Sequence, residues 1–486
     1  MAVTMTITTG DDISYPLAAY SNSRVMMKLP DALSGGTETM RLAGTEYLPQ
    51  EAGESDEKYQ IRLKRSVLLE VYSRTIEKMV GEMFKTKIAI SDDVDEDVKN
   101  WLNDIDRQGN DITVFMSKIA ATAIDEGISH ILVEYPRSPG KTLADHKAAG
   151  AQPYFVHIKP ASVIGWRFDD SLKTGKKLMQ LRIKEAHTAS DGLYGQKEVE
   201  RIRLLTPGAW AVYEEKEGNW TIATDDDGQL MEGRTNLDYI PLITFWFGEE
   251  VSELTARPPL MPLAHLNCTH WQSSSDQRNI LHYARLVTWF GKMLEEDEGG
   301  QILIGANRLV KSNSEGGDLK IVEHSGAAIG AGRQDLEDLK TEMALFGLSL
   351  LISKTGTVTA TEKGIDKGES DSAIHRWARI VNSGMEQAFR YMHKYLGKEV
   401  KGTITANDDF SGALNDQDSA LLVKAFESGL LPRSIVVDEL KSRGVIKGEI
   451  DLIDLVAQLA EDQKATASQT PLSGTLSANP LASLQM

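Results

Sequence analysis

The sequence predicts an α+β fold, and three observations carry that prediction. Apolar residues recur at helical spacing through residues 56–86, and again through 333–352 and 372–396. Between these blocks, residues 150–247 hold short runs of β-branched and aromatic residues separated by turn clusters. Helix and strand signals are therefore segregated along the chain, as in α+β rather than alternating α/β construction.

The first 50 residues read as mixed and turn-rich, with a Gly35–Gly36 pair. Residues 56–86 read as one long helix, with Leu63, Val67, Val71, Ile76, Met79, Val80, Met83 and Phe84 on its apolar face. Glu57, Lys58, Arg62, Lys64, Arg65 and Glu77 stand on the polar side. Asp111 is a good N-cap for a second helix reaching Glu126, and Gly127 is its stop signal. A strand follows over 128–135, closed by Pro136. Seven strand-like runs then fill 150–247, and Asp225–Asp226–Asp227–Gly228 marks a hairpin turn among them. That run lacks the ligand spacing and terminal Glu of a calcium loop.

Prolines 258, 259 and 262 open another helix, over 258–286. A glycine-rich segment with short strands occupies 287–331. Then come two long helical patterns, 333–352 and 372–396, joined by a Thr-rich loop over 353–371. Val358 and Ile365 are the loop's only large apolar residues, so it cannot build a core of its own. It has the composition of a finger presented on stiff supports. A strand-like stretch follows at 402–408, then short helices, and from residue 465 a Ser/Thr/Ala/Pro-rich tail without periodicity.

Bulk composition narrows the function. The net charge of −18 over 486 residues argues against a tight, general nucleic-acid binder, which needs a basic face. The single cysteine, Cys268, excludes an internal disulfide and fits a reducing compartment. The N-terminus lacks a basic patch followed by an apolar run, so no secretory signal is expected. No stretch of about 18 apolar residues predicts a membrane span. His265, Cys268 and His270 cluster on one helix, but His270 lies off the shared face and no second pair completes a tetrahedral site. Lys363–Gly364 lacks the glycine pair and Lys-Ser/Thr order of a phosphate loop. No nucleophile elbow and no His-Glu-x-x-His occurs. The expectation is a non-enzyme, with no catalytic residues, no cofactor and no metal.

The order of several segments resembles the portal proteins of tailed double-stranded DNA bacteriophages, within a portal-like group of uncharacterised phage proteins. The matching pieces are EYLPQEAGESDEKYQIRLKRS with VGEMF, HIKPASVIGWRF, LAHLNCTHWQSSSDQRNILHYA and TEMALFGLSLLISKTGTVTATE. The resemblance covers about residues 40–460, and its specificity lies in the order of the motifs rather than in any one of them. It implies a portal-type subunit with an N-terminal segment at 1–39 and a wing at 40–257. A first stem helix would span 258–286, a small α/β clip 287–331 and a second stem helix 332–352. A tunnel loop at 353–371, a long wing helix and strand at 372–411, a helical crown at 412–464 and a flexible tail at 465–486 would complete it.

The resemblance further implies a homo-oligomeric ring, typically of twelve subunits, at a capsid vertex of the virion. The ring would be assembled in the bacterial host cytoplasm. Double-stranded DNA would pass through it non-specifically during packaging and ejection. Its partners would be the terminase large subunit, a head–tail connector or adaptor, and the major capsid and scaffold proteins, with no membrane. Ser353, Lys354, Thr355, Thr357, Thr359, Thr361 and Lys363 would offer hydroxyls and two cations to phosphate. Lys292, Glu295, Glu296, Arg308, Lys311 and Lys320 would dock partners at the clip. Twelve copies at −18 carry about −216, a channel that repels DNA rather than holding it. The competing reading is a phage-encoded monomeric or dimeric enzyme or adaptor whose helices form an ordinary α+β core. Ring-shaped particles separate the two.

Overall fold

The N-terminal region is helical, not the mixed, turn-rich segment expected. Helix α1 spans Ala18–Ser34 and α2 spans Gly36–Ala43. The Gly35–Gly36 pair does break the chain, with Gly36 at φ +76°, but the break is one residue wide. Burial explains the helices: Met27, Leu33 and Met40 are sequestered in cores or packed interfaces, which outweighs the lost hydrogen bond at Pro30 inside α1. This computed structural model describes residues 12–136, 151–171, 175–225, 227–235, 237–285, 288–292, 316–322, 326–350, 372–395, 397 and 399–407. All fall in one of the two compact units into which the chain divides. The expected tunnel loop, crown and tail lie outside these residues.

The single helix expected over 56–86 is two: α3, Asp56–Arg65, and α4, Val71–Met83. Ser55 caps α3 by accepting from the Lys58 N–H. At its far end the Arg41 guanidinium of α2 donates to the carbonyls of Lys64 (2.8 Å) and Ser66 (2.9 Å). Helix-end carbonyls are thus satisfied from a distant element, so the chain can turn at Ser66 without leaving orphans. Two side-chain assignments change with it. Val67, expected on the apolar face, is exposed. Arg62, expected on the polar side, is buried, donating to Glu54 (2.8 and 2.9 Å) and to the Pro49 carbonyl (2.7 Å).

The helix and strand expected next both form, after two short elements that were not expected. A short strand β1 (Ala89–Ile90) and helix α5 (Glu96–Trp101) lead to α6, Ile112–Glu126. Asp111 caps α6 by accepting from the Val114 N–H at 2.8 Å, and Gly127 ends it in the left-handed region. Strands β2 (Ile128–Glu134) and β3 (Tyr154–Ile158) then join β10 (Leu242–Trp246) in an antiparallel sheet ordered β10-β2-β3.

The strand-rich block forms a larger antiparallel sheet. Its order is β4 (Val163–Asp169), β5 (Lys177–Asp191), β6 (Gly195–Thr206), β7 (Ala209–Lys216) and β8 (Asn219–Ile222), with β9 (Glu232–Arg234) on β7. The acidic run is a turn, as expected: Asp225 Oδ1 accepts from the N–H groups of Asp227 and Gln229, folding the chain rather than presenting a ligand set. A small hairpin, β11 (Glu249–Ser252) with β12 (Thr255–Arg257), completes the block.

The helix expected over 258–286 is α7, Met261–Ala284. After it come β13 (Thr288–Lys292) and β14 (Asp318–Val322), paired antiparallel. The helix expected over 332–352 is α8, Ala327–Ser349, so it begins before the expected residue 332. Gly330 and Gly332 disguised that start, since each costs a helix about 1 kcal/mol. Gly332 lies close to α7, since a Cβ there would stand 2.2 Å from Gln277 Oε1, whereas Gly330 faces open space. Helix α9, Ala373–Tyr395, matches expectation, and β15 (Ile404–Thr405) returns to pair with β1.

Two apolar cores result. The larger gathers α4, α6, α7, α9, β2 and β10 around Trp271, Trp377, Tyr72, Phe245 and Phe247. Trp377 stacks on Phe247 at 5.3 Å and donates its indole N–H to the Phe247 carbonyl. The smaller lies beneath the large sheet and holds Leu132, Trp166, Leu181, Ile183 and Leu205.

Candidate functional site: the paired long helices

Helices α7 and α8 pack side by side and run antiparallel. Gln277 Nε2 donates to the Ile329 carbonyl at 2.9 Å. His270, seven residues earlier, sits among the charges of Asp335, Glu337 and Lys340. At 24 and 23 residues, each helix extends for about 35 Å.

The base of α7 is tied down by buried polar groups. Asn267 is fully buried; its Oδ1 accepts from the Tyr72 N–H at 3.0 Å and its Nδ2 donates to the Leu69 carbonyl at 2.9 Å. It thereby satisfies the backbone where the chain turns into α4. Ser275 meets Ser66 hydroxyl to hydroxyl at 2.9 Å, and Gln272 donates to the Tyr47 carbonyl. Asp276 lies 3.7 Å from the buried Arg62 guanidinium, yet burial holds its carboxyl above the ordinary range. Hydrogen bonding from Arg62 pulls Glu54 the other way, below it.

Helix α8 is held far less. Met343 and Leu348 are its buried residues, and Leu336, Leu339, Leu345 and Phe346 are half-buried. Its exposed side carries Asp335, Glu337, Asp338 and Glu342 against Arg333 and Lys340, an acidic face. At its lower end the Ile374 N–H donates to the Leu350 carbonyl, so α8 ends where α9 begins. Leu350 and Ile374, which flank residues 351–371, therefore stand side by side. Helix α9 buries Trp377, Val381, Met385, Phe389 and Met392.

Of the expected docking residues, Lys292 and Lys320 sit on the β13–β14 hairpin beyond the helix pair. Lys292 is opposite Asp318, and Lys320 is opposite the exposed Phe290 while pairing with Asp318 at 2.7 Å. Glu295, Glu296, Arg308 and Lys311 lie outside the described residues, as do Ser353, Lys354, Thr355, Thr357, Thr359, Thr361 and Lys363. The His265–Cys268–His270 trio does not converge: His265 is exposed and His270 is buried. Among the described residues neither ring nitrogen of His270 has a hydrogen-bond partner, and burial pushes its pKa down. No cluster of metal-ligating side chains occurs among the described residues, and no described helix is long and apolar enough to cross a membrane. Sequence reasoning missed Asn267 as the anchor of α7. Its only signal was an amide on the face shared with Leu263, Ala264 and Trp271.

Residues 259–396, from the start of α7 to the end of α9, match a family described as a domain of unknown function (DUF4055). No curated protein matches the chain. Among solved structures the chain is similar to one described as the virion of a native gene transfer agent (GTA) particle, at 11% identity and a TM-score of 0.38, covering 82% of this chain and 96% of that one. It is similar to another described as the neck of an empty GTA particle computed with C6 symmetry, at 12% identity and a TM-score of 0.36, covering 75% and 87%. A third, the neck of a native GTA particle computed with C12 symmetry, shares 11% identity and a TM-score of 0.35, covering 76% and 88%.

Proposed function

We propose that this chain is the subunit of a portal-type ring, a non-enzymatic channel through which double-stranded DNA enters and leaves a phage-like capsid. One observation carries the reading: α8 is a 23-residue helix with Met343 and Leu348 as its buried residues. Helices of this length owe their stability to packing of one face, and a single subunit leaves most of α8 unpacked. Repeated neighbours around a closed ring supply the missing packing, while the acidic side of α8 faces a lumen along which phosphate slides without adhering. Both supports of the 351–371 segment are rooted together, which suits its reading as the tunnel loop. Ser353, Lys354, Thr355, Thr357, Thr359, Thr361 and Lys363 touch DNA there. The β13–β14 hairpin at the other end belongs to the clip, where Lys292 and Lys320, with Glu295, Glu296, Arg308 and Lys311, meet the terminase large subunit and then a connector.

Mass photometry and negative-stain microscopy of the purified chain test this. Ring-shaped particles of about twelve subunits are expected. Monomer or dimer alone, at micromolar concentration and across several salt conditions, would overturn it in favour of an enzyme or adaptor with an ordinary core.

A further inference from the structure

The β5–β6 hairpin outruns the sheet that carries it. Strand β4 pairs with β5 only up to Ile183, and β7 pairs with β6 only from Arg201. Residues 184–191 and 195–200 therefore form a two-stranded ribbon, with neither outer edge paired among the described residues. Such a ribbon is marginal in water by itself. Its turn is built with care. Gly192 takes φ +72°, and a Cβ at Gly195 would stand 2.3 Å from the Asp191 carbonyl oxygen, so both glycines are required. Between them the turn displays Leu193, 85% exposed, and Tyr194, 94% exposed, the most exposed large apolar side chain among the described residues. A turn that only connects strands favours small or polar residues instead.

The same sheet carries a matching receptacle. An open groove of about 520 Å³ is lined by Leu204, Thr206, Ala209, Ala211, Glu232 and Arg234. Among the described residues neither Glu232 nor Arg234 has an ion-pair partner, and the same holds for Asp191 and Lys197 at the ribbon's end. The groove cannot hold its own tip, because Tyr194 and Leu204 are ten residues apart along one extended strand, about 33 Å.

We propose that the ribbon tip of one copy docks in this groove of the next. Leu193 and Tyr194 cover the Leu204–Ala209–Ala211 floor, and Asp191 and Lys197 face Arg234 and Glu232. Tip and groove are different surfaces, so the contact is head-to-tail and propagates round a ring instead of stopping at a dimer. The inference rests on the ring reading for the number of copies.

The test uses the full chain with Cys268→Ser, which removes the only native thiol. Tyr194→Cys combined with Ala211→Cys is oxidised and run on a denaturing gel. A ladder of covalent multimers is expected from the double variant, and none from either single variant. Tyr194→Ser with Leu193→Ser, both on an exposed turn, is expected to raise the half-dissociation concentration of the assembly roughly 30-fold. Wild-type rings in which the double variant gives no ladder, or in which the serine variant assembles unchanged, overturn the docking but leave the ring intact. A wild-type chain that never assembles overturns both.

Discussion

Replacing Asn267 by alanine tests how α7 is anchored. Its amide pairs with the Tyr72 N–H at 3.0 Å and the Leu69 carbonyl at 2.9 Å, with no solvent access. Truncation leaves a buried donor and a buried acceptor unmet, at about 1–3 kcal/mol each. Alanine returns about 0.6 kcal/mol as the better helix former. The net expectation is a loss of about 1.5–5 kcal/mol. Asn267→Asp sharpens the test, because it keeps the acceptor for Tyr72 but brings an uncompensated charge and no donor for Leu69. It is expected to be at least as damaging as alanine. Guanidinium unfolding followed by tryptophan fluorescence reads the effect, since Trp271 and Trp377 are buried in the same core. A loss below about 0.5 kcal/mol for Asn267→Ala, within the range of ordinary surface changes, would refute the anchoring argument. So would an aspartate variant milder than alanine.

Gly384 of α9 lies against Phe245, whose ring atoms stand 2.2 and 2.6 Å from where a Cβ would be, so Gly384→Ala is expected to cost about 1–3 kcal/mol despite better helix propensity. An unchanged midpoint in urea would show that the ring can give way. Burial pushes the Asp125 carboxyl up to about 6, against hydrogen bonds from Ser34 and Tyr72. Its folded value is above the ordinary one, so its contribution to stability is complete below about pH 4 and lost as pH rises through about 6. Asp125→Asn should remove about 1–2 kcal/mol of that pH dependence, and parallel stability–pH curves for variant and wild type would contradict the assignment. Lys354→Ala with Lys363→Ala should leave stability within about 0.5 kcal/mol of wild type while altering DNA retention in assembled heads; a loss of several kcal/mol would mark those lysines as part of the packed core.

Local signals were legible wherever the partner of a residue lay nearby in sequence. Asp111 and Gly127 bound α6 because cap and stop act within one turn, and the alternating strands of the large sheet follow from side-chain period alone. Helix breaks set by distant groups were not legible. Arg41 and Asn267 satisfy the backbone around residues 64–72, and neither leaves a mark in the periodicity of 56–86. The N-terminal helices escaped notice because Gly35–Gly36 and Pro30 are turn signals, overridden here by burial of Met27, Leu33 and Met40. At the candidate site, helix lengths and the amphipathic α9 were readable. The early start of α8 was hidden by Gly330 and Gly332, of which only Gly332 lies close to Gln277. The burial of Arg62 followed from Glu54 and the Pro49 carbonyl, which helical spacing does not pair with it.

Because α7 leaves the larger core near Asn267 and Trp271, and the chain returns to it at Met343 of α8 and at Leu350, the helix pair is a lever with its pivot inside that core. With an arm of about 20 Å from Trp271 to the end of α7, a rotation of about 5° at the pivot sweeps the β13–β14 end through about 2 Å. Read in the other direction, a force applied at the hairpin is multiplied into torque on a few fixed points. These are the two hydrogen bonds of Asn267, the Ser66–Ser275 hydroxyl contact and the Met343 and Leu348 packing. The contact between the Ile374 N–H and the Leu350 carbonyl lies at that same fulcrum. Mechanical work done at one end of the helix pair is therefore delivered at Leu350 and Ile374, where α8 meets α9.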